Sequence, residues 1–221
     1  MTTDNKTGIW WRYLLLLVII VFARPATYFA SQALRGHPVD PNYFWTEWSP
    51  FGLFGGRLYN GKGGANWKIG EAKANILNAD ELRKLSEVRQ FALELVNRDR
   101  NINTLGSIVT DPVLNDAAQR HAEDMARRNY FDHKSPEGKT PRDRFINAGG
   151  SQYNGVGENI AFRGITNSLG LTYGVAEELQ RGWMYSNGHR ENLLTPEYKK
   201  FGYGIAVSPD GRLYAVQMFS N

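Results

Sequence analysis

Downstream of Asn78 the apolar positions of the chain fall into a helical period. Leu82, Leu85, Val88, Phe91, Ala92, Leu95 and Val96 recur at steps of three and four. They share one face, which predicts a helix over "NADELRKLSEVRQFALELVNRDRN" with Asp80 as its N-terminal cap. A second stripe of Val113, Leu114, Ala117, Ala118, His121, Ala122 and Met125 predicts a helix opening at Pro112 with Asp111 capping it. Its alanines suit close packing. A third helix fits "TYGVAEELQRGWMYS", with Val175, Leu179, Trp183 and Ser186 on one side and Gly188 placed as a left-handed stop. Elsewhere the period is two. "ENIAF" reads as a short strand, and "FGYGIAVSPDGRLYAVQMFS" as two alternating runs about an "SPDG" turn, a terminal β-hairpin. Helices followed by strands, with no βαβ alternation, predict an α+β fold arranged as an α–β–α three-layer sandwich.

This domain is assigned to residues 80–221, and two different regions precede it. Residues 1–23 hold an uninterrupted apolar run from Tyr13 to Ala23, with Lys6 and Arg12 before it and Arg24-Pro25 after. The run is short of the ~20 residues of a spanning helix, though Ile9-Trp10-Trp11 and Tyr28-Phe29 extend it with interfacial aromatics. It is read as a signal-anchor or a signal peptide. The anchor is preferred, because Arg24-Pro25 stands where a cleavage site of small residues would be. Either way the rest of the chain is expected outside the cytoplasm, membrane-anchored at the cell surface or in the periplasm, or secreted if the segment is cleaved. Residues 24–79 are rich in Gly, Pro and aromatics and show neither period, which predicts a linker or extended arm. Tyr43, Phe44, Trp45, Trp48, Phe51 and Phe54 could lie on lipid or on the domain.

Composition removes several classes of function. The 221 residues contain no cysteine, so disulfides, thiolate metal sites and a cysteine nucleophile are all excluded. The net charge of +4 comes without a Lys/Arg-rich run, so nucleic acid is not an expected partner. Of the four histidines, His37 reads as a loop residue and His121, on the second apolar stripe, as a core histidine. His133 sits in "NYFDHKSPEG", a turn-rich loop at a helix end, and His189 follows Gly188 in "GWMYSNGHRENLL". Glu158 opens an apolar strand and needs a partner, which two imidazoles could supply directly or through a metal. Ser186 lies near His189 in sequence. The negative end of a helix opposes an alkoxide, and no G-x-S-x-G elbow is present, so a capping or supporting hydroxyl is the expected role.

Several segments in register carry a family resemblance: "ALELVNRDRN", "DPVLNDAAQRHAEDMARRNYFDHKSPEG", "TPRDRFINAGG", "GENIAF", "GWMYSNGHRENLLTPEYKKFGYGIAV" and "YAVQMF". From about Glu87 to Asn221 the chain resembles the bacterial branch of the CAP superfamily, which comprises cysteine-rich secretory, antigen 5 and pathogenesis-related proteins. The resemblance implies an α–β–α sandwich, an extracytoplasmic location, and a central cleft carrying two histidines and two glutamates. His133 and His189 match the histidines, and Glu158 matches the glutamate of the G-E-N-[IL]-A strand. The second glutamate would fall at Ser186, where this chain departs from the pattern.

Two functions follow as expectations. One is a membrane-tethered module that binds a small molecule, lipid, glycan or protein partner in the His133–Glu158–His189 cleft. The other is a metal-dependent hydrolase of cell-envelope substrates, with His133, Glu158 and His189 holding zinc or another divalent metal and leaving a position for water. The sequence does not decide whether the chain is an enzyme.

Overall fold

A computed structural model describes residues 63–74, 79–164 and 171–221. The apolar run of residues 1–23 and the aromatic positions from Tyr43 to Phe54 lie outside them. No helix among the described residues is long and apolar enough to cross a membrane.

The elements, in chain order, are α1 (Leu85–Ile102), β1 (Val109–Thr110), α2 (Pro112–Arg128), α3 (Pro141–Asn147), β2 (Val156–Arg163), α4 (Tyr173–Tyr185), α5 (Asn187–Leu193), β3 (Lys200–Val207) and β4 (Leu213–Ser220). The four strands form one sheet in the order β1-β3-β4-β2. β4 is antiparallel to both neighbours, while β1 runs parallel to β3 over two residue pairs. The hairpin turns at Ser208–Gly211, with Gly211 at φ +82°. Among the described residues the result is a mixed α/β domain of five helices and one four-stranded sheet.

β4 is buried along its whole length, so its alternating side chains build two separate cores. Leu213, Ala215 and Phe219 join Phe201, Tyr203 and Ile205 of β3 beneath α1 and α4. Tyr214, Val216 and Met218 face α2, with Ile160 of β2 and Phe145 of α3. On the α2 side β3 presents glycines. A Cβ at Gly202 would stand 2.2 Å from the Leu114 carbonyl carbon, and one at Gly204 would stand 2.3 Å from that of Ala118. The helix backbone therefore lies directly on the strand, which explains the alanines of α2.

Both sheet edges are covered by side chains, which removes the hazard of open strand edges. Beyond the short β1, α2 takes over the pairing of β3: Asn115 Oδ1 accepts from Tyr203 N–H (2.9 Å) and Gln119 Oε1 from Ile205 N–H (3.1 Å). At the other edge, the β2 carbonyls of Glu158 and Ile160 accept from Asn192 Nδ2 (3.0 Å) and Trp183 Nε1 (3.2 Å).

α2 starts as the sequence predicts, with Asp111 Oδ1 accepting from the N–H groups of Val113 (2.8 Å) and Leu114 (3.1 Å). α1 does not. It begins at Leu85, where Glu87 Oε2 accepts from Lys84 N–H at 2.9 Å, and Asp80 is no cap. Leu82, counted on the apolar face, is 71% exposed, and Arg83 N–H is drawn to the Leu171 carbonyl at 2.8 Å. Gly188 does not stop α4 either. Ser186, extended at φ −90° and ψ 124°, ends α4 and opens the separate helix α5, within which Gly188 and His189 lie. Within the stretch read as an arm, residues 63–74 rest on the domain. Ile69 is fully buried in the α1/α4 core, Gly70 N–H donates to Asp99 Oδ1 (2.9 Å), and Lys73 N–H donates to Glu177 Oε2 (2.8 Å).

Candidate functional site

The candidate residues gather around the N-terminal half of edge strand β2. Glu158 points to the α2 side, in the row of its partner Met218. The preceding Gly157 is required by close approach: a Cβ there would meet the Tyr198 hydroxyl at 2.5 Å and Asn192 Oδ1 at 2.9 Å. The glycine lets α5 and the turn after it close against the strand, so what it admits is protein.

The Glu158 side chain is 1% exposed and both its oxygens are taken. Oε1 accepts from His133 Nδ1 at 2.8 Å, and Oε2 accepts from Arg144 Nη2 at 2.6 Å. A carboxylate can only accept, so His133 holds its proton on Nδ1 and directs Nε2 away from the strand. The His133 side chain is 49% exposed. This is a solvent-reachable imidazole whose orientation is set by a buried ion pair.

Arg144 comes from α3, which is fixed by a cap of its own. Thr140 and Asp143 bond reciprocally, with Thr140 N–H to Asp143 Oδ2 at 2.8 Å and Asp143 N–H to Thr140 Oγ1 at 3.2 Å, and Pro141 follows the cap. Besides Glu158, its guanidinium reaches the carbonyls of His133 (2.9 Å) and Lys139 (3.0 Å). It thus clamps both the carboxylate and the loop that presents His133. In the sequence, "TPRDRFINAGG" helps carry the family resemblance but assigns Arg144 no role. The available signal was an arginine on a capped helix beside a carboxylate that needed a partner.

His121 is buried on α2 and donates from Nε2 to the Asp132 carbonyl at 3.1 Å, a core histidine that props the residue before His133. Its Nε2 is 4.0 Å from Glu158 Oε1. Burial pushes its pKa down to about 4 despite the pull of Glu158.

His189 approaches from α5, at the outer edge of β2. Its carbonyl accepts from Asn159 Nδ2 at 3.1 Å. Burial, and then the proximity of His133, push the pKa of its imidazole down to about 4. Ser186 is at the cap position of α5 and makes no side-chain capping bond.

The expected metal tripod of His133, Glu158 and His189 does not match this geometry. One oxygen of Glu158 is held by an imidazole N–H and the other by the Arg144 guanidinium, whose charge already neutralises the carboxylate and would repel a divalent ion. Among the described residues no group of three or more His, Asp or Glu side chains is placed to hold a metal ion.

The sheet, the capped helix before "DHKSP" and the strand carrying Glu158 coincide with a family model: that of CAP, the cysteine-rich secretory protein family, matches residues 93–219. The chain belongs to the CAP family. Its CAP domain is similar to the uncharacterized protein YkwD of Bacillus subtilis, 34% identical over 124 residues, which make up 56% of this chain and 44% of that protein. It is also similar to the uncharacterized membrane protein YlbC of the same organism, 31% identical over 113 residues, or 51% and 30% of the two chains. The chain thus spans less than half the length of these bacterial relatives. Among solved structures, an extracellular protein containing a SCP domain from Bacillus anthracis is 34% identical, with 61% of this chain and 40% of that one covered and a TM-score of 0.49. An outer surface protein from Borrelia burgdorferi, at 19% identity, covers 64% of this chain and 97% of its own with a TM-score of 0.53, a likeness of fold.

Proposed function

We propose that the chain is an extracytoplasmic, membrane-tethered CAP module that binds a small molecule, lipid headgroup, glycan or protein group at the His133–Glu158–His189 site. The observation carrying this reading is the half-exposed His133 imidazole, held at 2.8 Å by the buried Glu158 that Arg144 pins from behind. Ordering an exposed polar side chain costs entropy, and a fixed Nε2 offers a preorganised acceptor to an incoming ligand. Two relatives support the placement outside the cytoplasm, one described as extracellular and one as a membrane protein. The apolar run from Tyr13 to Ala23 supplies the proposed tether.

A second reading rests on the same pair. An imidazole whose Nδ1–H is held by a carboxylate is the orienting half of many acid–base sites, and Nε2 is then free to take a proton. Hydrolysis of an envelope substrate would use His133 as base, with Glu158 and Arg144 fixing it.

The test compares wild type with His133→Ala, using the full chain. Bound metal is measured, then hydrolysis of envelope peptides, then thermal shifts against panels of lipids, glycans and peptides. The binding module predicts metal-free protein, no turnover, and a ligand shift lost in the variant. Turnover abolished by the substitution would establish the hydrolase instead. A ligand shift unchanged by His133→Ala would move the site elsewhere.

A further inference from the structure

Behind the site, on the face of the sheet opposite Glu158, runs a chain of buried side-chain amides with no break. Asp99 can only accept, so Gln180 Nε2 donates to its Oδ2 at 2.8 Å. That turns Gln180 Oε1 toward β4, where Gln217 Nε2 donates to it at 2.8 Å. Gln217 Oε1 then accepts from Asn159 Nδ2 at 3.1 Å. The same Asn159 amide donates to the His189 carbonyl at 3.1 Å, and its oxygen accepts from Asn192 Nδ2 at 2.9 Å. Each link dictates the orientation of the next. Turning over any one amide would set donor against donor in a region where Asp99, Asn159, Gln180 and Gln217 are all buried.

The other end of the chain is the segment 63–74. Asp99 Oδ1 accepts from Gly70 N–H (2.9 Å) and from Arg98 Nε (2.9 Å). Arg98 also pairs with Glu177, whose Oε2 accepts from the N–H groups of Lys73 (2.8 Å) and Ala74 (3.2 Å). These carboxylates hold the segment by its backbone, and the amides they orient hold the His189 turn of α5.

We propose that Gln180, Gln217 and Asn159 are positioning residues for His189, driven by the seating of residues 63–74. The segment leading from the N-terminal part of the chain and the turn bearing His189 form one hydrogen-bonded unit. Loosening the segment displaces His189 and leaves His133 in place. His133 is held from the opposite face of the sheet by Glu158 and Arg144, and neither belongs to the amide chain. Because coupling is reciprocal, fixing His189 also secures the segment. The proposal does not depend on which ligand the site takes.

The test is NMR of the full chain with 13C at histidine Cε1, its four signals assigned by single His→Gln substitutions. Two variants break the unit at different points: Gln217→Leu in the middle and the isosteric Glu177→Gln at the segment end. Both are expected to shift the His189 signal by more than its linewidth while the His121 signal stays fixed. Exchange of the Lys73 and Ala74 amides is expected to quicken at least tenfold in Gln217→Leu. An unmoved His189 signal in folded Glu177→Gln would overturn the proposal. So would an equal displacement of His121, which would mean general loosening. If Gln217→Leu does not fold, Glu177→Gln decides alone, since it preserves volume.

Discussion

The two faces of the sheet are packed by opposite means. Against α2 the strand β3 gives up side chains, and helix and strand backbones meet across Gly202 and Gly204. Against α1 and α4 the same strand presents Phe201, Tyr203 and Ile205, and a seam of charges and amides runs through the aromatics. The first face tolerates almost no added atom. The second tolerates no missing partner. Adjacent residues of β2 serve both: Glu158 faces the close-packed side and holds His133, and Asn159 faces the polar seam and holds the His189 carbonyl.

The strongest way to break this contrast is Asp99→Ala. It leaves Arg98 and Gln180 buried with lost partners and should cost about 3–5 kcal/mol in urea unfolding. Gly204→Val attacks the other face. With a backbone atom 2.3 Å from the new Cβ, its cost should lie near the upper end of overpacking, about 3 kcal/mol, with near-UV circular dichroism reporting displaced α2.

Acid should act on both faces at once, through His121 on one and His189 on the edge they share. Each has its folded pKa lowered from 6.5 to about 4, chiefly by burial. Between those values the unfolded chain binds the protons and the folded chain does not. The stabilising contribution of neutral imidazole is therefore whole above pH 6.5 and is lost as the pH falls toward 4. Urea midpoints measured across that window should decline steadily, and His121→Asn should flatten the slope.

The smallest effect sharpens the comparison. The Tyr203 hydroxyl is buried on the polar face with no hydrogen-bond partner among the described residues. Tyr203→Phe should raise stability by about 1 kcal/mol, because it removes a desolvated group that gains nothing in return.

What the sequence made legible follows the same division. Close-packed elements announce themselves by spacing: Asp111-Pro112 opened α2, the alanine stripe marked its buried face, and "SPDG" marked the hairpin. His133 and Glu158 could be paired because a buried carboxylate requires a partner. Arg144 was legible only as a candidate partner for that carboxylate, since nothing in its local pattern says that α3 leans over β2. The position of His189 depended on a second helix that opens at an extended Ser186, just where the glycine had been read as a stop. Residues 63–74 are held by their own backbone N–H groups on Asp99 and Glu177. Such bonds leave no periodic trace in side-chain chemistry. Asp80 failed as a cap for a related reason: the Leu171 carbonyl claims the Arg83 amide and keeps that stretch out of the helix.

β4 comes last among the described elements, yet it lies between β3 and β2 and pairs with both along eight residues. A nascent chain lacking it has two strands with no common neighbour and two half-cores with no wall between them. The two cores can therefore close only once β4 is in place, each at the same moment as the other.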